Sequence, residues 1–216
     1  MPITRMPIHV RLFLSGLVLC ALSCSLVFAA NVEDIPPCDS PSCDRVAQTI
    51  PWENAHANPD GQTVRIGRFS FVIPTGAEVR LSGDLTFFHY SDKPRRWLSV
   101  RLNSIQDVDL TEADLGDLRF ADAVRILFTK TRQDKEPSNL HARNMWRSLL
   151  HAKSLHIAEN TPVYFSHRGD AEVAFGQWED GRRFVFIANK HTSHAYVQIE
   201  GTGFSDAEMK GFAFQN

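Results

Sequence analysis

The 216-residue chain predicts an α+β fold: a mostly antiparallel sheet of about seven to nine strands, two main helices on one face and a short C-terminal helix. Apolar and polar residues alternate at period 2 through residues 63–104 and again through 163–200. Between these blocks, over 111–153, apolar residues recur at helical spacing instead. The composition is that of an ordinary globular protein, 43% hydrophobic and 22% charged, without an internal repeat or low-complexity tract. Three parts follow: a signal peptide over 1–30, an extended disulfide-containing segment over 31–62, and a single α+β domain over 63–216.

The front of the chain sets the compartment. Arg5, His9 and Arg11 precede an apolar run over 12–28, and small residues Ala29 and Ala30 follow. A basic, then apolar, then small-residue order is that of a secretory leader, with the mature start near Ala30. The expected location is the periplasm, reached by a cleavable signal. An uncleaved N-terminal anchor is the alternative, since a 17-residue, mainly apolar run sits at the short end of a membrane span. A lipid anchor on Cys24 is a further one: Ala21-Leu22-Ser23-Cys24 loosely resembles a lipobox, departing from it by Ala at the first position and Leu at the second. Apart from these routes no membrane contact is indicated.

The leader holds two of the 23 Lys+Arg and none of the 25 Asp+Glu, so the remainder carries a net charge of about −4. That balance gives no basic stripe for nucleic acid. Cys38 and Cys43 survive cleavage, and in an exported chain an even pair reads as a disulfide. A zinc site is the rival reading, but two cysteines without a nearby histidine make half a site. Residues 31–61 otherwise hold five prolines and turn residues, with Val46, Ile50 and Trp52 as docking points.

Taken in order, residues 63–66 and 69–73 form two strands joined at Gly67-Arg68, where Gly accepts positive φ. Phe69, Phe71 and Ile73 share one face, and Pro74 ends the strand. Thr75-Gly76 is a turn. Residues 85–90 are apolar on both faces and predict a central strand; Asp92-Lys93-Pro94 turns the chain into the half-exposed strand 98–103. Thr111 caps a first helix with Asp114 three residues on, and Phe120 to Phe128 carry its apolar spacing to about Thr131. A second helix opens at Pro137-Ser138-Asn139, buries Met145, Trp146, Leu149 and Leu150, and ends near Lys153. Strands return at 162–167 and 171–179, and Asp180-Gly181 is the strongest two-residue hairpin signal in the chain. Residues 183–188 predict a central strand. In 194–200, Ala195, Val197 and Ile199 face inward and Tyr196, Gln198 and Glu200 outward. Ser205 and Glu208 form a capping box, with Phe204 and Met209 as a staple, and Gly211 stops the last helix.

Catalytic constellations are sparse. There is no G-x-S-x-G elbow, H-E-x-x-H, P-loop or G-x-G-x-x-G, and the mature cysteines read as paired. No catalytic, cofactor-binding or metal-ligating residue is assigned, and no cofactor is implied. His191 and His194 read as a solvated turn, His151 as a cation at a helix C-terminus, and Arg168-Gly169-Asp170 as a hairpin turn. A dispersed hydrolase site stays open, and clustering of His89 and His167 with an acid would point to it. The candidate partner-binding rim comprises Lys93, Arg95, Arg96 and Trp97 at one turn, and Trp178, Arg182 and Arg183 at another. Arginine and tryptophan are the side chains that anchor interfaces, while basic residues at hairpin tips also serve solubility.

Residues Gly67-Arg68-Phe69-Ser70-Phe71-Val72-Ile73-Pro74-Thr75-Gly76-Ala77 resemble the opening strand of a family of exported bacterial immunity proteins, which neutralise phospholipase effectors of the type VI secretion system. The resemblance covers about a dozen residues and assigns no site residue. The same pattern is similar to small α+β domains of the photosystem-associated and Ran-binding type. What the first resemblance implies is a binding role in the periplasm. The expected function is therefore an exported, non-enzymatic protein-binding protein, with a toxin or effector as partner. A small-molecule or lipid-binding module on the aromatic sheet face is the alternative.

Overall fold

The computed structural model describes residues 34–52, 61–91, 95–108, 110–157 and 161–213. The expected leader, Lys93 and most of the turns around residues 58–61 and 92–94 lie outside them. The strands are β1 (Gln48–Thr49), β2 (Gly61–Ile66), β3 (Phe69–Pro74), β4 (Ala77–Ser82), β5 (Leu85–Tyr90), β6 (Trp97–Ser104), β7 (Tyr164–Arg168), β8 (Ala171–Gln177), β9 (Arg183–Asn189) and β10 (Ala195–Thr202). The helices are α1 (Glu112–Leu115), α2 (Asp122–Thr129), α3 (Leu140–His156) and α4 (Asp206–Ala213).

The fold is α+β, as its sequence predicts. Eight strands form one sheet in the order β1-β7-β8-β9-β10-β6-β5-β4, and β2 and β3 form a separate two-stranded sheet. All neighbours are antiparallel except β1 and β7. The centre of the sheet is joined by hairpins and by the β6–β10 pair, which links segments about a hundred residues apart in the chain.

Two apolar layers sandwich the sheet. On one face α2 lies on β8 and β9, and α3 packs over α2. Phe128, Phe184, Phe186 and Trp178 form an aromatic row there, with Trp178 and Phe184 centroids 4.1 Å apart. On the other face the β2–β3 hairpin and α4 cover Leu98, Val100, Val173, Val185, Val197 and Ile199 with Phe69, Phe71, Ile73, Met209 and Phe212. The hairpin therefore acts as a lid on the sheet and is not a continuation of it. Its alternation predicts a strand pair correctly, but alternation is the same whether the apolar face belongs to a sheet or packs on one.

Local signals set several boundaries. The Asp114 carboxylate accepts the Thr111 N–H at 2.8 Å, Asn139 Oδ1 accepts the Ala142 N–H at 3.1 Å, and Glu208 accepts the Ser205 N–H at 2.8 Å. Three expectations are corrected. The predicted first helix is two, α1 and α2, because Gly116 adopts φ +61° and breaks it. Helix α4 runs through Gly211 to Ala213: a lone glycine weakens a helix but does not stop it when both ends are held by packing. Strand β4 lies between the turn at 75–76 and β5, where the sequence predicts no element.

Residues 34–52 of the N-terminal segment are tied to the domain along their length. Cys38 and Cys43 are joined by a disulfide and both are buried. Asp34 pairs with Arg143 and Arg147, and the Ile35 N–H donates to Asn144 Oδ1 at 3.0 Å. Ala47 N–H donates to the Phe128 carbonyl, and Gln48 and Ile50 donate to Val163 and Phe165. Of the expected docking points, Ile50 and Trp52 pack against the core, whereas Val46 is exposed.

Candidate functional site: the rim at one end of the sheet

The two predicted tips do lie at the same end of the sheet. Thr202 on β10 sits opposite Trp97 on β6, and Gly201 sits opposite both Leu98 and Arg183. The β5–β6 and β8–β9 connections therefore flank the C-terminal end of β10. The close approach depends on Gly201: a Cβ there would lie 2.6 Å from Leu98 Cδ2 and from the Trp97 carbonyl oxygen. The Asp180-Gly181 signal lies in a three-residue loop, not a two-residue one. Trp178 N–H donates to the Arg182 carbonyl at 2.7 Å, enclosing Glu179, Asp180 and Gly181, with Gly181 at φ +86°.

Within this end, the side chains separate by role. Trp178 is 5% exposed and belongs to the aromatic row beneath the helices. Its indole N–H donates to Glu200 Oε1 at 2.9 Å. Arg182 donates to Glu200 Oε2 at 2.7 Å and to Asp180 Oδ2 at 2.6 Å. Gln198 donates to Glu200 Oε1 at 2.7 Å and accepts from Asn103 at 3.4 Å. Glu200, expected to face outward, is 3% exposed. Tyr196 and Gln198 are buried beside it on the same face. The reason is that β10 lies between β6 and β9, while Trp178 and Arg182 of the β8–β9 connection bond to Glu200 and the rings of Phe120 and Phe186 stack on Tyr196. A carboxylate there is tolerable because both oxygens are bonded and a guanidinium neutralises it.

On the opposite face Arg183 pairs with Asp206 of α4 at 2.6 Å. Arg96 pairs with Glu208, and its guanidinium lies 4.3 Å from the Phe204 ring centroid and 5.0 Å from that of Tyr90. Burial alone would raise the Glu208 carboxyl, but hydrogen bonds from Ser205 and the charge of Arg96 outweigh it and hold the group below its ordinary value. Three of the predicted basic residues therefore fasten α4 and the β8–β9 loop to the sheet.

Arg95 and Trp97 are placed differently. The Arg95 side chain is exposed while its carbonyl accepts the Thr202 hydroxyl at 2.6 Å, so the backbone carrying it is fixed. Trp97 shares a sheet face with its cross-strand neighbour His89, and Phe87 lies next along on β5. All three are half-exposed. They lie on the same face as the helices, but α2 sits over β8 and β9 and leaves this part of the sheet accessible.

A cleft of about 290 Å³ adjoins the Trp178 side, lined by Leu155, His156, Trp178, Glu179, Asp180, Arg182 and Glu200. His156 titrates below its ordinary value, first because it is part-buried and then because Arg182 is near. Sequence reading missed Glu200, Gln198 and His156 here. One usable signal was the Glu200-Gly201 pair, since a glycine inside a strand marks close backbone approach.

The other motifs resolve simply. Gly169 turns β7 into β8 with φ +57°, within Arg168-Gly169-Asp170. His191 is exposed and 3.2 Å from Asp170. Among the described residues no group of three or more metal-ligating side chains forms, and no helix is long and apolar enough to cross a membrane. His89 and His167 lie on β5 and β7, five strand steps apart, which is about 24 Å at the usual interstrand spacing. No family model and no curated protein matches the chain.

Proposed function

We propose that this chain is an exported, non-enzymatic protein-binding protein, and that its partner is a secreted effector which it neutralises, as immunity proteins do. The observation that carries the reading is the aromatic face beside Arg95: Trp97 in cross-strand register with His89, and Phe87 next along β5 on the same face, all partly exposed on the sheet. Large rigid aromatic side chains next to a cation are the usual anchors of protein interfaces. The disulfide is compatible with an oxidising compartment. A ligand-binding reading finds less support, because Trp178, Asp180, Arg182 and Glu200 of the Trp178 cleft already bond to one another.

The test is binding to, and protection against, a secreted lipase or other toxin encoded next to this chain. Binding should be submicromolar and should fall at least about tenfold in the double variant Arg95→Glu, Trp97→Ala. Arg96→Glu would mislead, since it strips α4 of its anchor. Absence of protection, with no binding at micromolar concentration, overturns the proposal.

A further inference from the structure

The β4 edge carries its own complement. Ala77–Ser82 is the last strand of the eight-stranded sheet, hydrogen-bonded only to β5 among the described strands. Its apolar side chains are uncovered: Val79 is 48% and Leu81 78% exposed. Long edges of this kind are normally shortened, covered or charged against pairing. Here Glu78 and Arg80 alternate with Ala77, Val79 and Leu81, so one face of the strand is charged and the other apolar.

The backbone has a defined polarity as well. Ser82 and Leu85 flank a two-residue turn at Gly83-Asp84, with Gly83 at φ +61°. In such a hairpin the flanking pair exchanges both backbone hydrogen bonds, and every second pair after it does the same. Ser82, Arg80 and Glu78 therefore direct their N–H and C=O groups at β5. Ala77, Val79 and Leu81 direct theirs away from the sheet.

We propose that β4 is a homodimerisation edge, on which two copies of the chain pair antiparallel about a two-fold axis at Val79. In that register Val79 of each copy faces Val79 of the other, and the two exchange backbone hydrogen bonds. Leu81 meets the other copy's Ala77, also through outward-directed backbone groups. On the charged face Glu78 lies opposite Arg80 of the other copy, and Arg80 opposite its Glu78, at the closely spaced non-hydrogen-bonded positions. Arg80 and Glu78 pair within the strand at 3.1 Å, and both side chains are more than half exposed, so each can turn across the axis. The pairing is isologous and closes on itself, giving a continuous sheet through both copies without an open fibre. The partner surface proposed above adjoins this edge, since His89 and Phe87 lie cross-strand from Glu78 and Arg80, but the dimer is read on the chain alone, without that partner.

The test is the mass in solution of the chain purified from the periplasm, by light scattering at up to about 100 μM, where a Kd near 10 μM is readily seen. Twice the chain mass is expected. Glu78→Arg sets like charges across the axis twice and should weaken the dimer about tenfold or more; Arg80→Glu should do the same. Mixing those two variants restores opposite charges at every contact and should regenerate a heterodimer of wild-type affinity, which a folding defect could not do. Val79→Pro removes an outward N–H without touching the β5 ladder and should leave a folded monomer. A monomeric wild type at all concentrations, or a dimer indifferent to all three substitutions, overturns the proposal and leaves the edge to a strand of some other protein.

Discussion

At one edge of the sheet β1 contributes two residues, paired parallel to β7; at the other β4 contributes six, and among the described strands it pairs only with β5. Several groups reinforce the first edge. Lys153, 1% exposed, reaches from α3 to donate to the Arg45 carbonyl at 2.8 Å and to the Lys130 carbonyl at the end of α2. Arg45 donates in return to the Ile157 carbonyl at 2.7 Å, and Arg132 holds Asp44 and the Asp39 carbonyl. Both edges thus face the same hazard of unpaired backbone, with different solutions. A strap of the chain's own sequence closes one. The other retains the alternation of a strand that still has a neighbour to meet.

The sharpest way to break this contrast is at Lys153. Burial pushes its amine down to about 8, against the nearby charges of Asp44 and Asp134, which act the other way. Lys153→Ala orphans two carbonyls and removes three buried methylenes. Unfolding in urea should show a loss of about 2 kcal/mol at pH 7 and about 4 at pH 9.5. The sign follows from linkage. Below pH 8 both folded and unfolded lysine bind the proton. Between about 8 and the ordinary value of 10.5 the unfolded chain alone retains it, so wild-type stability rises with pH across that window. Above about pH 10.5 the trend reverses, because burial holds the Tyr196 phenol above its ordinary value while the unfolded tyrosine ionises. A wild type whose stability is flat between pH 8 and 10 would remove Lys153 from this role.

Next in size is the disulfide. Opening the short Cys38–Cys43 loop with serines should cost about 2 kcal/mol by loop entropy. Hydrogen exchange should rise over 34–50 and leave β8 to β10 unchanged. A matching rise in the central strands would mean that the strap is integral to the sheet and not a closure of one edge. The smallest effect belongs to the open edge. Val79→Pro should change monomer stability by no more than about 0.5 kcal/mol, since it replaces an exposed side chain and an N–H directed away from β5. A loss of several kcal/mol would show that the Val79 amide is directed at β5.

What the sequence shows well is short-range. The capping residues Thr111, Asn139 and Ser205, the turn at Gly67, the central position of β9 and the Cys38–Cys43 pairing all depend on residues within a few positions of one another. Period-2 and helical spacing then suffice for the fold class. The candidate rim was legible in part. Topology brings its two tips to one end of the sheet, where Arg95 is exposed and Trp97 partly exposed. Arg96, Arg182 and Arg183 instead meet acids 112, 18 and 23 residues away, pairings for which a single sequence gives no cue.

By itself, the amino-acid sequence determined the fold class, most of the strands, the caps at Thr111, Asn139 and Ser205, and the cross-link in the N-terminal segment. Tertiary structure alone decided that β2–β3 is a lid, that residues 34–52 form a strap, and that Glu200 is a buried hub while Leu81 stays exposed. The physical reason is the same in each case. Alternation along a strand records that its two faces differ, but what covers each face is supplied by segments distant in the chain, and burial follows from that cover.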